Sequence, residues 1–138
     1  MIAGADVFLD TNILIYAATG QADEPAKWEV AHGLLTAPFG TSGQVLAEFY
    51  ANATRKAKPP LPLDDARRWV ALLGRKPFVM VDERLVLAGI DLSQRYQISY
   101  WDGAIVAAAE RLGAKTLYTE DLSHGQTYGS VTAINPFL

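Results

Sequence analysis

Ser99-Tyr100-Trp101-Asp102-Gly103-Ala104-Ile105-Val106-Ala107-Ala108-Ala109, followed beyond Gly113 by Lys115-Thr116-Leu117-Tyr118-Thr119, is the stretch on which the fold turns. Trp101, Ile105, Ala108, Ala109 and Leu112 recur at helical spacing as an apolar stripe, with Ser99 a good N-cap and Gly113 a good stop. The β-branched and aromatic run that follows reads as a short strand. A helix that turns straight into a strand is half of an α/β repeat, so the flanking segments are read for the same alternation.

Upstream, Phe78–Val81 reads as a strand, and Asp82 caps a helix carrying Leu85, Leu92 and Tyr96. At the other end, Ala5–Leu9 is a strand running through Asp10-Thr11-Asn12 into a short helix that reaches about Thr19. Glu24-Pro25 opens a second helix whose Trp28, Ala31, Leu34 and Leu35 recur at helical spacing, and Pro38-Phe39-Gly40 breaks it before a brief strand. Thr41 and Ser42 are caps for a third helix, with Val45, Phe49 and Asn52 on one side, stopping at Pro59-Pro60-Leu61-Pro62. Asp64 or Asp65 caps the next helix, and Ser130–Ile134 is a fifth strand. The expectation is an α/β fold in one domain over residues 1–138, with a central parallel sheet of about five strands and helices on both faces.

Composition narrows the function. With 138 residues, 50% hydrophobic and 20% charged, the chain can bury one core. No run resembles a membrane span or secretion signal, and a cytoplasmic protein is expected. There is no cysteine, so a metal here must sit on oxygen ligands or on the two histidines. A net charge of −3 argues against nucleic-acid binding by overall positive potential. Locally the balance differs: Arg55, Lys56, Lys58, Arg67, Arg68, Arg75 and Lys76 crowd one segment, opposed there only by Asp64 and Asp65. That cluster is either a solvated helical face or a contact surface for an RNA backbone, with Arg55, Lys56, Lys58, Arg67 and Arg68 the candidates.

In an open parallel sheet the functional crevice lies beyond the carboxyl ends of the strands. Asp10 closes the first strand, Asp121 follows the fourth, and Glu48 sits early in the helix after the second. The helix bearing Asp102 turns directly into the fourth strand, which must climb back to where that helix began. All four acids are therefore expected at one edge. Glu48 and Asp102 flank apolar stripes with no basic residue near them in sequence, and a carboxylate facing the interior is costly unless it is paired or bound to a cation. A hard divalent ion resolves this for the whole cluster, Mg²⁺ or Mn²⁺ above all. Each acid also has an ordinary reading: Asp102 completes a capping-box spacing from Ser99, Asp121 is a turn residue, and Asp10 is an N-cap beside Thr11.

The ordered set Val7-Phe8-Leu9-Asp10-Thr11-Asn12-Ile13-Leu14-Ile15-Tyr16, Val45-Leu46-Ala47-Glu48-Phe49, the 99–109 helix, and Leu117-Tyr118-Thr119-Glu120-Asp121-Leu122 resembles the PIN-domain family end to end, and its length resembles the VapC ribonuclease toxins of toxin-antitoxin pairs. The resemblance implies a three-layer PIN fold, Mg²⁺ or Mn²⁺, endonucleolytic cleavage of RNA, a homodimer and a VapB-like cognate antitoxin. It carries the catalytic role onto Asp10, Glu48, Asp102 and Asp121, with Asp10, Asp102 and Asp121 as metal ligands. Asn12 and Thr119 match supporting polar positions. Glu120, beside Asp121, leaves a one-place shift of the last acid open. His124 reads as an exposed loop residue, and Trp101 as core or as a base-stacking ring.

Rival readings are a PIN nuclease of RNA processing outside toxin systems, a non-catalytic PIN-like RNA- or protein-binding module, and a phosphatase of the haloacid dehalogenase kind, which wants an Asp where Asn12 stands. The charge-free run from Ile13 to Ala18 is more apolar than one small core needs, so the N-terminal helices are expected to present a groove to a partner.

Overall fold

Phe8 and Leu9 are both fully buried, although consecutive strand residues point to opposite faces, so β1 (Val7–Leu9) is covered on both sides. The computed structural model describes residues 4–138. After β1 come α1 (Thr11–Asp23), α2 (Pro25–Leu34), β2 (Thr41–Ser42), α3 (Gly43–Ala53), α4 (Leu63–Leu73), β3 (Phe78–Val79), α5 (Glu83–Tyr96), α6 (Tyr100–Leu112), β4 (Thr116–Tyr118), β5 (Thr127–Tyr128) and β6 (Val131–Ile134). Two groups of helices supply the cover: α5 packs on α6, while α1 packs on α2 and α3, and α3 on α4. Among the described residues no helix is long and apolar enough to cross a membrane.

A four-stranded sheet runs in the order β1-β4-β6-β5, and β2 pairs with β3. An isolated parallel bridge between Phe8 and Gly40 joins the two. Among the described residues every strand pairing is parallel except β5 with β6, so the expected parallel character holds, but a four-stranded sheet with an antiparallel edge and a second, two-stranded one stand where about five strands in one sheet were expected. Gly129 sits at φ 60° in the tight turn between β5 and β6, a conformation glycine adopts without the strain a Cβ brings.

Boundaries shift for local reasons. α1 runs a turn further than expected, to Asp23, and buries Ile13 and Leu14 completely, each worth roughly 1.5–3 kcal/mol of transfer. α3 ends at Ala53, well before the proline turn. The N-cap position of α4 is Pro62 with no side-chain cap; Asp64 and Asp65 lie instead in the first turn, where their charge suits the helix dipole. α2 packs on α1, and among the described residues Val30 is the one large apolar side chain of this pair that is exposed; the groove that α1 presents, ≈ 450 Å³, mixes Ile15 and Tyr16 with the polar Asn12, Thr19, Asp23 and Glu24.

Close approach of two backbones fixes the last helix. A Cβ on Gly103 would stand 2.5 Å from the carbonyl oxygen of Gly89, and one on Gly89 would stand 3.0 Å from Ala104 Cα. α5 and α6 therefore meet where neither carries a side chain.

Candidate functional site

The strand register builds the first part of the site. Leu9 pairs with Tyr118, so the residues that follow, Asp10 and Thr119, emerge side by side at the carboxyl edge. Asp10 N–H donates to Tyr118 O at 3.1 Å, and the Thr119 hydroxyl donates to Asp10 Oδ2 at 2.8 Å. The other oxygen, Oδ1, accepts from Thr11 N–H at 2.7 Å as Asp10 caps α1. Asp10 is 5% exposed and Thr119 1%. Burial is the largest influence on the Asp10 carboxyl; the bonds from Thr119 and Thr11 oppose it, and the charges of Asp121 and Glu48 add to it, leaving the pKa raised to about 7.

Glu48 arrives from β2 through the Ser42 cap, whose hydroxyl accepts from Val45 N–H at 3.3 Å. Its Oε1 accepts from the Thr11 hydroxyl at 2.8 Å and its Oε2 from Gln44 Nε2 at 3.5 Å. Thr11 thus orients two of the acids, a role unread in the sequence because its side chain meets Glu48 only in the fold. Asp102 stands in the first turn of α6. The Ser99 hydroxyl accepts from Asp102 N–H at 3.1 Å, but among the described residues no reciprocal bond uses the Asp102 carboxylate, so half of the capping box is present and the carboxylate is spared. Asp121 N–H donates to the Thr119 hydroxyl at 3.1 Å, and its pKa is raised, by burial first and then by the charges of Asp102, Glu120 and Glu48.

Asp10, Glu48, Asp102 and Asp121 all line one cleft of ≈ 260 Å³, together with Asn12, Thr11, Gln44, Asn52, Trp101 and Ile105. Thr119 lies behind it. Like charges repel, and the acids share the cleft as a spread set; among the described residues no three His, Asp or Glu side chains form a ready ligand cage. No Lys or Arg forms an ion pair with any of the four among those residues. Carboxylate and carboxamide oxygens around one buried acid, Asp10, with no countercharge among the described residues, make a donor set that fits a hard divalent cation.

Glu120 is engaged elsewhere. Its carboxylate accepts from Tyr16 Oη at 2.6 Å and from Lys27 Nζ at 3.1 Å, so Asp121 is the acid that lines the cleft. Trp101 departs from the core reading: it is 62% exposed, its ring stands edge-on to Tyr100 at 5.1 Å, and it lines both the acidic cleft and a neighbouring apolar cavity of ≈ 510 Å³ walled by Ala47, Val81, Leu85 and Ala104. His124 has a bonding role after all, its Nδ1 accepting from Asn135 N–H at 2.9 Å.

The basic candidates divide. Lys56 and Lys58 line a second cleft of ≈ 450 Å³ that shares Asn12 and Asn52 with the acidic one. Arg55, Arg67 and Arg68 are exposed and line neither; Arg68 pairs with Asp65 along its own helix. Gln44 and Asn52 are cleft residues that the sequence reading missed.

A family model described as PIN domain matches residues 7–129. No curated protein sequence matches. Among solved structures, Mycobacterium tuberculosis VapC20, described as a toxin cleaving the sarcin-ricin loop, superposes with a TM-score of 0.65 at 21% identity over 83% of this chain and 89% of its own. A toxin-antitoxin complex from Klebsiella pneumoniae gives 0.65 at 18% identity over 94% and 97%. VapBC2 from Rickettsia felis, bound to a promoter DNA fragment, gives 0.60 at 17% identity over 92% and 96%. At these identities the likeness is one of fold.

Proposed function

The chain belongs to the PIN-domain family, and from that premise we propose that it is a divalent-metal-dependent endoribonuclease, the VapC-type toxin of a toxin-antitoxin pair. The observation that carries the reading is the single cleft lined by Asp10 after β1, Glu48 on α3, Asp102 on α6 and Asp121 after β4, four acids without a basic ion-pair partner among the described residues. The structures it resembles include toxin-antitoxin complexes, which supports a cognate antitoxin as partner. RNA as substrate and a homodimer complete the proposal.

Asp10, Asp102 and Asp121 would hold Mg²⁺ or Mn²⁺, with Glu48 beside them. When bound, the ion supplies a water of lowered pKa and offsets charge developing on a scissile phosphate. The protein's own contribution is orientation. Thr11 and Thr119 fix both oxygens of Asp10, and Thr11 with Gln44 fixes Glu48, so the carboxylates need no reorganisation when the phosphodiester enters. Hydrolysis adds water oxygen to phosphorus and breaks one P–O ester bond, the water's protons passing to Glu48 or solvent and to the leaving oxygen.

The test is cleavage of total and defined RNA by purified protein with Mg²⁺ or Mn²⁺, with 5′ ends mapped after induced expression. Chelator should abolish cleavage, and Asp10→Asn or Asp102→Asn should do so while the protein stays folded. Full activity in chelator, or in either variant, overturns the metal site.

A further inference from the structure

Beside the acidic cleft lies a second polar cluster that the proposed chemistry does not use. Lys27 of α2 donates from Nζ to Glu120 Oε2 at 3.1 Å and to Tyr16 Oη at 3.2 Å, and Tyr16 Oη donates to Glu120 Oε1 at 2.6 Å. Each of the three touches the other two. The ammonium also stands 4.9 Å from the centre of the Tyr16 ring and 5.4 Å from that of Phe137, and those rings meet edge to face at 5.2 Å. The Lys27 and Glu120 side chains are only 33% and 19% exposed, which makes this a partly desolvated contact, unlike the surface pair of Arg68 with Asp65.

Its place in the chain is what matters. Glu120 is bonded to the residue that enters the cleft, Asp121, and to the residue whose hydroxyl holds Asp10, Thr119. Three consecutive residues therefore point three ways: Thr119 back to β1, Glu120 out to α1 and α2, and Asp121 into the cleft. With Glu120 anchored on both oxygens, the loop after β4 loses the rotation that would exchange Glu120 for Asp121. We propose that Lys27 and Tyr16 are positioning residues for the metal centre, holding Glu120 away from the cleft and thereby fixing the direction from which Asp121 enters it. This rests on the metal-nuclease reading of the cleft.

Charge alone gives the opposite expectation, which makes the idea testable. Removing the Lys27 cation removes repulsion toward an incoming metal ion, so a purely electrostatic role has Lys27→Met binding Mn²⁺ more tightly. A positioning role has it binding more weakly, by about tenfold or more, as for other residues that orient ligands. The experiment titrates Mn²⁺ into RNA-free protein by electron paramagnetic resonance, for wild type, Lys27→Met, Lys27→Arg, Tyr16→Phe and Asp102→Asn, with thermal unfolding as the check on folding. Weakened binding in Lys27→Met and Tyr16→Phe, restored in Lys27→Arg, is the expected result. Should Lys27→Met fail to fold, Tyr16→Phe, which loses one oxygen and no charge, carries the test. Binding within twofold of wild type in Tyr16→Phe, or tighter binding in Lys27→Met, overturns the positioning role while leaving the nuclease reading intact. Wild type that binds no Mn²⁺, or Asp102→Asn that binds it equally well, overturns the metal reading and this inference with it.

Discussion

Thr11 and Glu48, 37 residues apart, meet through a hydroxyl-to-carboxylate bond of 2.8 Å, while the backbone N–H of the same threonine donates to Asp10 at 2.7 Å. One residue thus aligns acids from a strand end and from a helix. Thr11→Val keeps shape, β-branching and the N–H, and deletes only the bond to Glu48. Cleavage should fall about 10- to 100-fold, with the fold retained. Steady-state kinetics over a range of Mg²⁺ concentrations reads this, and unchanged activity would remove Thr11 from the machinery.

Metal-free protein should lose stability as pH rises from about 4 to about 7. The Asp10 carboxyl is raised to about 7, so in that window the folded chain keeps a proton that the unfolded chain has released. The unfolded state then binds fewer protons, and stability falls with rising pH, levelling off above about 7. Asp121, also raised, acts in the same sense, whereas the lowered Asp82 acts oppositely and at more acid pH. Urea denaturation in chelator should show this slope, and Asp10→Asn should flatten most of it. Excess Mg²⁺ should raise stability most at the alkaline end, where the carboxylates are ionised. A pH-independent midpoint would contradict the assignment of Asp10 as a buried, unpaired acid.

Trp101→Ala should leave stability nearly unchanged, because the ring is already 62% exposed, but should weaken single-stranded RNA binding. Stacking of one base on an aromatic ring is worth about 1–3 kcal/mol, roughly 5- to 150-fold in Kd. Binding is best measured in an Asp102→Asn background, where substrate survives. An unchanged Kd would exclude the ring as a stacking platform.

Lys56 and Lys58 line the cleft that shares Asn12 and Asn52 with the acidic one, which favours them over Arg67 and Arg68 as partners of the RNA backbone. For a single strand, each phosphate deprived of its lysine should flatten the plot of log K against log salt by about 0.7. Lys56→Glu with Lys58→Glu should show this, and Arg67→Glu with Arg68→Glu should change it less. The reverse ranking would move the RNA path onto α4.

What could be read beforehand was whatever repeats or alternates. The stripe from Ile105 to Leu112 and the runs at Val7–Leu9 and Thr116–Tyr118 carry enough period to locate α6, β1 and β4, and with them the edge where Asp10, Asp102 and Asp121 gather. Trp101 continues the same stripe, yet α6 begins at Tyr100 and its first turn reaches past the core, so helical phase alone does not bury the ring. β5 is two residues long and has no period; its only signal was the Tyr128-Gly129-Ser130-Val131 turn. Gln44 and Asn52 stand four residues either side of Glu48 on α3, so helical spacing does carry a signal for them, whereas the Lys27–Tyr16–Glu120 contact depends on tertiary neighbours that local pattern does not show.

The missing side chains at Gly89 and Gly103 give the acidic cleft a dependence on a helix that touches none of the chemistry. Asp102 and Gly103 are adjacent, yet they answer to different masters: one to the cleft, the other to the backbone of α5. A methyl group added at Gly103 has to push the helices apart, and a reacting group displaced by about 1 Å can lose 100-fold in rate. A genetic screen for inactive alleles would therefore return Gly103 alongside the carboxylates, and a catalogue of hits sorted by phenotype alone would mistake a spacing requirement for a chemical one.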